Sequence, residues 1–159
     1  MEIRLLTAFF FAFIATAAFA VLFQAPKKSL PISGIIGAIG WVAFVYIRKE
    51  LGYNSFPANF CATVLLSLAS ELSARFFKQP STVFIIPGVI PLVPGLGMYQ
   101  GMTQLIEKQY DLGMSILLTA ILDAVAIALG VMVVTSFFRV LKISRKRRQG
   151  EDKITGCDL

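Results

Sequence analysis

The sequence predicts an all-α integral membrane protein with five transmembrane helices, the fourth of which is broken by prolines and glycines. Three observations support this fold class. Hydrophobic residues make up 57% of the chain and charged residues only 15%, well below the roughly 25% of a soluble domain. Apolar runs long enough to cross a hydrocarbon core of about 30 Å recur along the chain. One such run, residues 80–101, carries four prolines and four glycines.

Five apolar segments are predicted to span the membrane and to form one domain, residues 1–138. The A-x-A triplet at residues 18–20 also fits a signal-peptide cleavage site, but the run extends towards Lys27, so we favour a retained span. Glycines at 34, 37 and 40 in the second segment indicate close helix packing. The predicted spans are residues 5–23, 30–47, 56–77, 82–105 and 113–138.

The fourth segment contains the run PGVIPLVPG, residues 87–95, whose prolines disfavour a continuous helix. Each proline removes a backbone hydrogen bond and clashes with the carbonyl four residues earlier. The residue before each proline is also pushed towards extended geometry. Because unpaired backbone cannot face lipid, the interruption must be enclosed by protein or line a hydrated cavity. Interrupted segments of this kind are typical of substrate sites in transporters.

The residues around this interruption are the predicted substrate-binding residues. Pro94 can begin a new helix, and the free N–H groups at its start, of residues 95–97, can bind a carboxylate. Alternatively, Pro94 and Gly95 can form a type II turn within a re-entrant loop. Gln100 and Gln104 can contact substrate or join helices. The predicted set comprises Pro87, Gly88, Pro91, Pro94, Gly95, Leu96, Gly97, Tyr99 and Gln100.

Three ionisable residues within the spans are candidates for a proton or ion pathway: Glu71, Arg75 and Asp123. Glu71 and Arg75 are four residues apart and can pair on one helix face, so Glu71 either neutralises Arg75 or serves the pathway. Asp123 lies about 15 Å from the start of its span, near the midplane, and should face the bundle interior. We favour a functional role over a structural one in which a neutral, protonated or Thr119-bonded Asp123 joins helices. A packing face is expected beside it, formed by Ala120, Ala124 and Ala128.

The net charge of +6 is concentrated in residues 139–159, a predicted basic cytoplasmic tail that contacts anionic lipid and ends in a disordered segment, residues 151–159. A C-terminus inside the cell places 11 of the 15 Lys and Arg residues in the cytoplasm. The positive-inside rule therefore predicts an N-terminus outside. The charge marks topology and not nucleic-acid binding. The chain has no histidine and only two cysteines, so no metal, cofactor or catalytic site is predicted.

The run from Ala74 to Tyr99 resembles the signature of the threonine/serine exporter family, in its small membrane-only component. The matching features are Ala74–Arg75, Lys78–Pro80, Phe84 and the run Pro87–Gly95. The resemblance implies a bacterial cytoplasmic-membrane exporter of small hydroxy amino acids, or of dicarboxylates such as succinate in related branches. It also implies a separate, larger subunit with five spans of its own and a soluble N-terminal region. Asp123 belongs to no motif of the family.

The sequence therefore predicts half of a secondary exporter, with a small-molecule site completed by the larger subunit; a homo-oligomer is an alternative assembly. A non-transporting scaffold or accessory subunit would explain the small-residue faces but gives the three prolines of the interruption no purpose. An intramembrane enzyme would depend on Asp123 and Glu71 alone and ranks last. The sequence leaves open the substrate, the driving ion and the stoichiometry with the partner.

Overall fold

The computed structural model describes residues 2–50 and 52–155, with side chains described for residues 5–50 and 52–141. The described part consists of six α-helices and one short 3-10 helix, joined by turns, and it contains no strand. The helices are α1 Glu2–Leu22, α2 Leu30–Lys49, α3 Ser55–Phe77, α4 Thr82–Val89, α5 Gly95–Ile106 and α6 Tyr110–Thr155, and the 3-10 helix is Ile90–Leu92.

The prediction of an all-helical membrane protein is confirmed at this level. Among the described residues, α1, α2, α3 and the segment Tyr110–Leu141 of α6 are each long and apolar enough to cross a membrane. The segments Thr82–Leu92 and Gly95–Ile106 meet the same criterion only together, and they are bent by 41° at their junction. The count is therefore four spans, or five if the bent pair is one span.

α1, α2 and α3 pack through small residues on α2. A Cβ atom added at Gly34 would lie 2.7 Å from the Phe13 ring, and one at Gly40 would lie 2.7 Å from Leu66 Cδ1. Gly37 lies against the side chain of Thr16 on α1. Real side chains do not fit at such distances, so these glycines allow the helix backbones to approach closely, as small residues do in membrane bundles.

α4 packs against α1, α2 and α3, and the 3-10 helix packs against α1 and α2. Phe84 is fully buried in the core beside Leu66, and Gly88 lies against Leu66 as well. The helix passes through Pro87, which lies inside α4. Because a single proline removes only one backbone hydrogen bond, close packing of the surrounding helices can hold the helix through it.

The backbone therefore departs from helical geometry over fewer residues than the prolines predict. Backbone angles remain helical at Val89 and Ile90, and Val93 is extended, with φ −59° and ψ 129°. Pro94 follows as the N-cap of α5 and not as its first helical residue. The predicted break does not occur at Pro87, which lies inside α4, or at Pro91, which lies in the 3-10 helix. The backbone angles leave the helical region at Val93 and Pro94.

α6 packs on both α3 and α5. Ala124 and Ala128 are exposed, so the expected face of alanines four residues apart is wrong except at Ala120. Steps of exactly four residues drift around a helix, whereas alternating steps of three and four remain on one side. The buried residues of the described part of α6 largely follow that alternation, and they are Gly113, Ala120, Asp123, Ala126, Ile127, Gly130 and Val134.

α3 and α6 run in the same direction. The side chain of Asn59 interacts with Asp123, Gly130 lies against Thr63, and the Arg75 guanidinium lies 4.6 Å from the centre of the Phe138 ring. Residue numbers rise together on both helices along these three contacts, which is possible only for a parallel pair.

α6 extends beyond the predicted end of the fifth span at Phe138 and remains helical through the basic segment to Thr155. The expectation of a disordered end is wrong for residues 151–155, and residues 156–159 lie outside the described part. The local sequence explains the extension, because Arg, Lys, Gln and Glu are all good helix formers.

Candidate functional site

The junction between the 3-10 helix and α5 exposes the start of a helix. The Gly95 N–H donates a hydrogen bond to the Val93 carbonyl at 2.7 Å. The prediction that this N–H group is free is therefore wrong. The Met98 N–H donates to the Pro94 carbonyl at 3.0 Å and closes the first turn. Leu96 and Gly97 lie between these two residues, and the N–H groups of a first helical turn have no carbonyl acceptor within their own helix. The positive end of the α5 dipole lies at the same point.

The predicted substrate-binding residues divide between two environments. Pro87 and Gly88 are buried within the bundle, and Pro91 and Pro94 are half-buried. The α5 residues of the set are open except for the partly buried Gly97. Leu96 and Tyr99 are each 70% exposed, and a Cβ atom added at Gly95 would have no neighbour within 4 Å. The helical bundle therefore encloses the residues of the set up to Pro94, whereas the residues on α5 are mostly exposed.

α5 is held mainly by α6, in the antiparallel sense. A Cβ atom at Gly97 would lie 3.7 Å from Ala120 Cβ, and one at Gly101 would lie 2.7 Å from the Leu117 side chain. Residue numbers on α5 rise as those on α6 fall. The pairing of Gly97 with Ala120 therefore brings Asp123, three residues further along α6, to about the level of Pro94 at the start of α5.

Asp123 lies inside the protein beside a polar partner on another helix. It is 8% exposed, and Asn59 on α3 is 1% exposed. The Asn59 side chain hydrogen-bonds to Asp123, and the charge of the exposed Arg48 acts on it from the end of α2. One oxygen of each residue, Asn59 Oδ1 and Asp123 Oδ1, is buried without a hydrogen-bond partner. The inward orientation expected of Asp123 is observed; its depth in a bilayer stays a prediction.

Thr119 does not hold Asp123 in place. Its hydroxyl donates to the Ser115 carbonyl at 2.9 Å, four residues back on the same helix. The interpretation in which a Thr119–Asp123 hydrogen bond joins helices therefore has no support in this geometry.

A buried polar face on α3 is the main feature that the sequence analysis missed. The side chains of Thr63, Ser67 and Ser70 are fully buried, and with Asn59 they follow steps of four, four and three residues. Thr63 donates to the Asn59 carbonyl at 2.7 Å, whereas Ser67 Oγ and Ser70 Oγ have no partner. The step pattern was visible in the sequence and places all four residues on one face.

Glu71 and Arg75 form no ion pair within the described part of the chain. The Arg75 side chain is exposed and lies over the Phe138 ring, a cation–π contact that also holds α3 to α6. The predicted pairing is thus replaced by a contact between helices.

Two polar side chains of α5, those of Thr103 and Gln104, form hydrogen bonds with residues three or four positions away in the chain. Gln104 Nε2 donates to Glu107 Oε2 at 3.4 Å, and the Thr103 hydroxyl donates to the Tyr99 carbonyl at 3.0 Å. Gln100 is exposed. Among the described residues, no group of three or more His, Cys, Asp or Glu side chains could hold a metal ion.

Comparison with known proteins gives a consistent result. The family model for threonine/serine exporters matches residues 8–137. A threonine/serine exporter of Corynebacterium glutamicum is 30% identical over 119 residues, which cover 75% of this chain and 24% of that protein. An uncharacterised protein of Haemophilus influenzae is 29% identical over 108 residues, covering 66% of this chain and 35% of that protein. The chain thus matches about a quarter to a third of the length of these relatives, and no solved structure matches it.

Proposed function

Because the chain belongs to the threonine/serine exporter family, we propose that it is one half of a secondary exporter that moves small carboxylate-bearing metabolites of the threonine and serine type out of the cell. The observation that carries the proposal is the junction at Val93–Gly95, where the open start of a helix lies level with the buried carboxylate of Asp123. Half-helix starts of this kind bind anionic substrate groups in other transporters.

We propose that α4, the 3-10 helix and α5 together form one broken span and not a re-entrant loop. The parallel arrangement of α3 and α6 supports this reading. A chain that leaves the end of α3 must return across the bundle before it can start α6 in the same direction. The protein would then have five spans in the bacterial cytoplasmic membrane, with the N-terminus outside and the C-terminus inside.

Single cysteines introduced at the two ends of the broken span are expected to react from opposite sides of the membrane. With Cys61 and Cys157 replaced by serine, Lys108→Cys should react with a membrane-impermeant thiol reagent in intact cells. Gln79→Cys should react only after lysis, as should Cys157 when it is the sole cysteine. Reaction of residues 79 and 108 from the same side would establish a re-entrant loop, and reaction of Cys157 in intact cells would reverse the orientation.

The exposed side of α5 supports a partner subunit in the assembly. Four apolar or aromatic residues recur there at steps of three to four and are 56–78% exposed. The bulk of the matched Corynebacterium exporter has no counterpart in this chain. We propose that a larger five-span subunit of the same family covers this side and completes the substrate site; a homo-oligomer is the alternative. The four residues are Leu96, Tyr99, Met102 and Ile106.

The polar face of α3 supplies further groups for a translocation path. Unpartnered hydroxyls in a membrane interior carry a free-energy cost that packing alone does not explain. Ser67 and Ser70 would offer hydrogen bonds to water or to a substrate hydroxyl as it passes along α3. We propose no catalytic activity, because the family is one of transporters.

The partner requirement is tested by efflux from cells that express this chain, the larger subunit, or both. Cells preloaded with threonine, serine or succinate are expected to show saturable efflux only when both subunits are present. Efflux of succinate alone would favour the dicarboxylate alternative. Saturable efflux from this chain by itself would favour a homo-oligomer, and unchanged flux of all three compounds under every condition would favour a non-transporting scaffold.

A further inference from the structure

We propose that the substrate site recognises both charges of a zwitterionic α-amino acid, and that it is divided among three helices, α3, α5 and α6. Asp123 and Asn59 bind the ammonium group, and the first-turn N–H groups of Leu96 and Gly97 bind the carboxylate. This inference rests on the proposed exporter function and specifies the substrate class and the residues that select it.

Three independent helix contacts converge on one level of the bundle. The side chain of Asn59 on α3 interacts with Asp123 on α6. Gly97 on α5 lies against Ala120 on α6, so the start of α5 is at the level of Asp123. Gly88 on α4 lies against Leu66 on α3, and counting from that contact brings Pro94 to about the level of Phe60, next to Asn59.

The unpartnered atoms at this level are complementary to an ammonium group. Asn59 Oδ1 and Asp123 Oδ1 can each accept a hydrogen bond and neither has a donor. Both residues are more than nine-tenths buried, so water is largely excluded and an unmatched acceptor is costly. An ammonium group has three hydrogen-bond donors and a positive charge. It can therefore donate to both unpartnered oxygens and neutralise the Asp123 carboxylate.

The start of α5 provides the opposite polarity at about the same level of the bundle. At 1.5 Å per residue, Asp123 is about 4.5 Å further along the α6 axis than Ala120, the residue that Gly97 contacts. The free N–H groups of α5 point back along the helix towards this level, where the dipole favours an anion. The ammonium and carboxylate groups of an α-amino acid share one carbon, so a site for both requires adjacent subsites of opposite charge. The common level of Asp123 and the start of α5 along the bundle supports such a pair of subsites.

The same arrangement disfavours a dicarboxylate. A second carboxylate beside Asp123 would place two like charges in a buried setting, which strongly penalises ionisation of both. Arg48 does not offset this repulsion at close range, because its side chain is exposed at the end of α2.

The test uses proteoliposomes that contain this chain together with the subunit that copurifies with it. Four compounds are loaded: L-threonine, N-acetyl-L-threonine, which lacks the ammonium group, L-threonine methyl ester, which lacks the carboxylate, and succinate. Threonine efflux is expected to exceed that of each other compound by about tenfold or more, the size expected for loss of a charged hydrogen bond. Asp123→Asn should lower threonine efflux and bring the ratio of threonine to N-acetyl-L-threonine towards one.

Asp111→Asn provides the matched control, because Asp111 is an exposed acid at the start of the same helix and should leave this ratio unchanged. Asp123→Glu retains the charge and should keep the preference at reduced flux. Wild-type efflux of N-acetyl-L-threonine or succinate equal to that of threonine would overturn the inference while leaving the exporter function intact. Threonine efflux that requires Na⁺ and ignores N-acetylation would assign Asp123 and Asn59 to an inorganic cation and would also overturn it. Absence of flux for all four compounds would reject the exporter function itself, and the inference with it.

Discussion

Replacement of Gly95 by valine, or of Gly97 by alanine, is expected to abolish export while the amount of protein in the membrane stays close to that of the wild type. A Cβ atom at Gly95 has no neighbour within 4 Å, and one at Gly97 makes only an ordinary contact with Ala120 at 3.7 Å. Neither substitution therefore disturbs packing within the chain. Alanine at position 97 even favours the helix, by about 1 kcal/mol relative to glycine.

The loss of export has a local cause in this case. A substrate carboxylate must come within hydrogen-bonding distance of the α5 N–H groups, and glycines leave that approach open. A side chain at either position would occupy space that the substrate needs. The measurement is threonine efflux from cells that also express the larger subunit, normalised to the amount of this chain in the membrane.

Gly101→Ala serves as the contrasting variant on the same helix. Its Cβ atom would lie 2.7 Å from the Leu117 side chain and 3.2 Å from the Gly113 carbonyl oxygen, so it should weaken the α5–α6 pair and reduce the amount of folded protein. Normal efflux in Gly95→Val and Gly97→Ala would rule out the α5 start as the carboxylate site. A reduced membrane content in those two variants would instead show that they act through folding.

Local features of the chain predict its helices well. Apolar segments of sufficient length can satisfy their backbone only as helices in a membrane, so α1, α2 and α3 follow directly from composition. The proline-rich segment was harder to predict, because the cost of a proline depends on what surrounds it. Packing of α4 against three helices holds the backbone helical through Pro87, and only Val93 departs to extended geometry.

The partners of the candidate site could not be predicted in the same way. Lipid is as apolar as a protein core, so hydrophobic periodicity does not distinguish the lipid-facing side of a helix from the buried side. Ala124 and Ala128 were therefore expected to pack and are exposed. The contact between Asn59 and Asp123 depends on the register between α3 and α6, which no local pattern specifies. Polar residues carry the better signal, and the spacing of Asn59 and Ser67 on α3 already indicated a buried face.

The register between α3 and α6 should also determine whether the site forms, and Gly130 is the residue that allows these two helices to pack closely. A Cβ atom at Gly130 would lie 2.9 Å from Thr63 Cβ and 3.2 Å from the Phe60 carbonyl oxygen. The second of these atoms is backbone and cannot rotate away. A larger residue there must push the helices apart, close to the point where Asn59 meets Asp123.

We therefore expect Gly130→Leu to destabilise the protein by about 1–3 kcal/mol or more, as overpacked cores do, and to abolish efflux. Ala128→Leu is the matched control, because Ala128 is exposed and lies two residues away on the same helix. Both changes add an apolar side chain that favours membrane insertion, so a difference between them reports packing and not insertion. Thermal unfolding followed by fluorescence-detected size exclusion in detergent measures the effect. Equal stability of the two variants would mean that α3 and α6 do not pack closely at Gly130. The inference that Asn59, Pro94 and Asp123 lie at one level of the bundle would then lose its support.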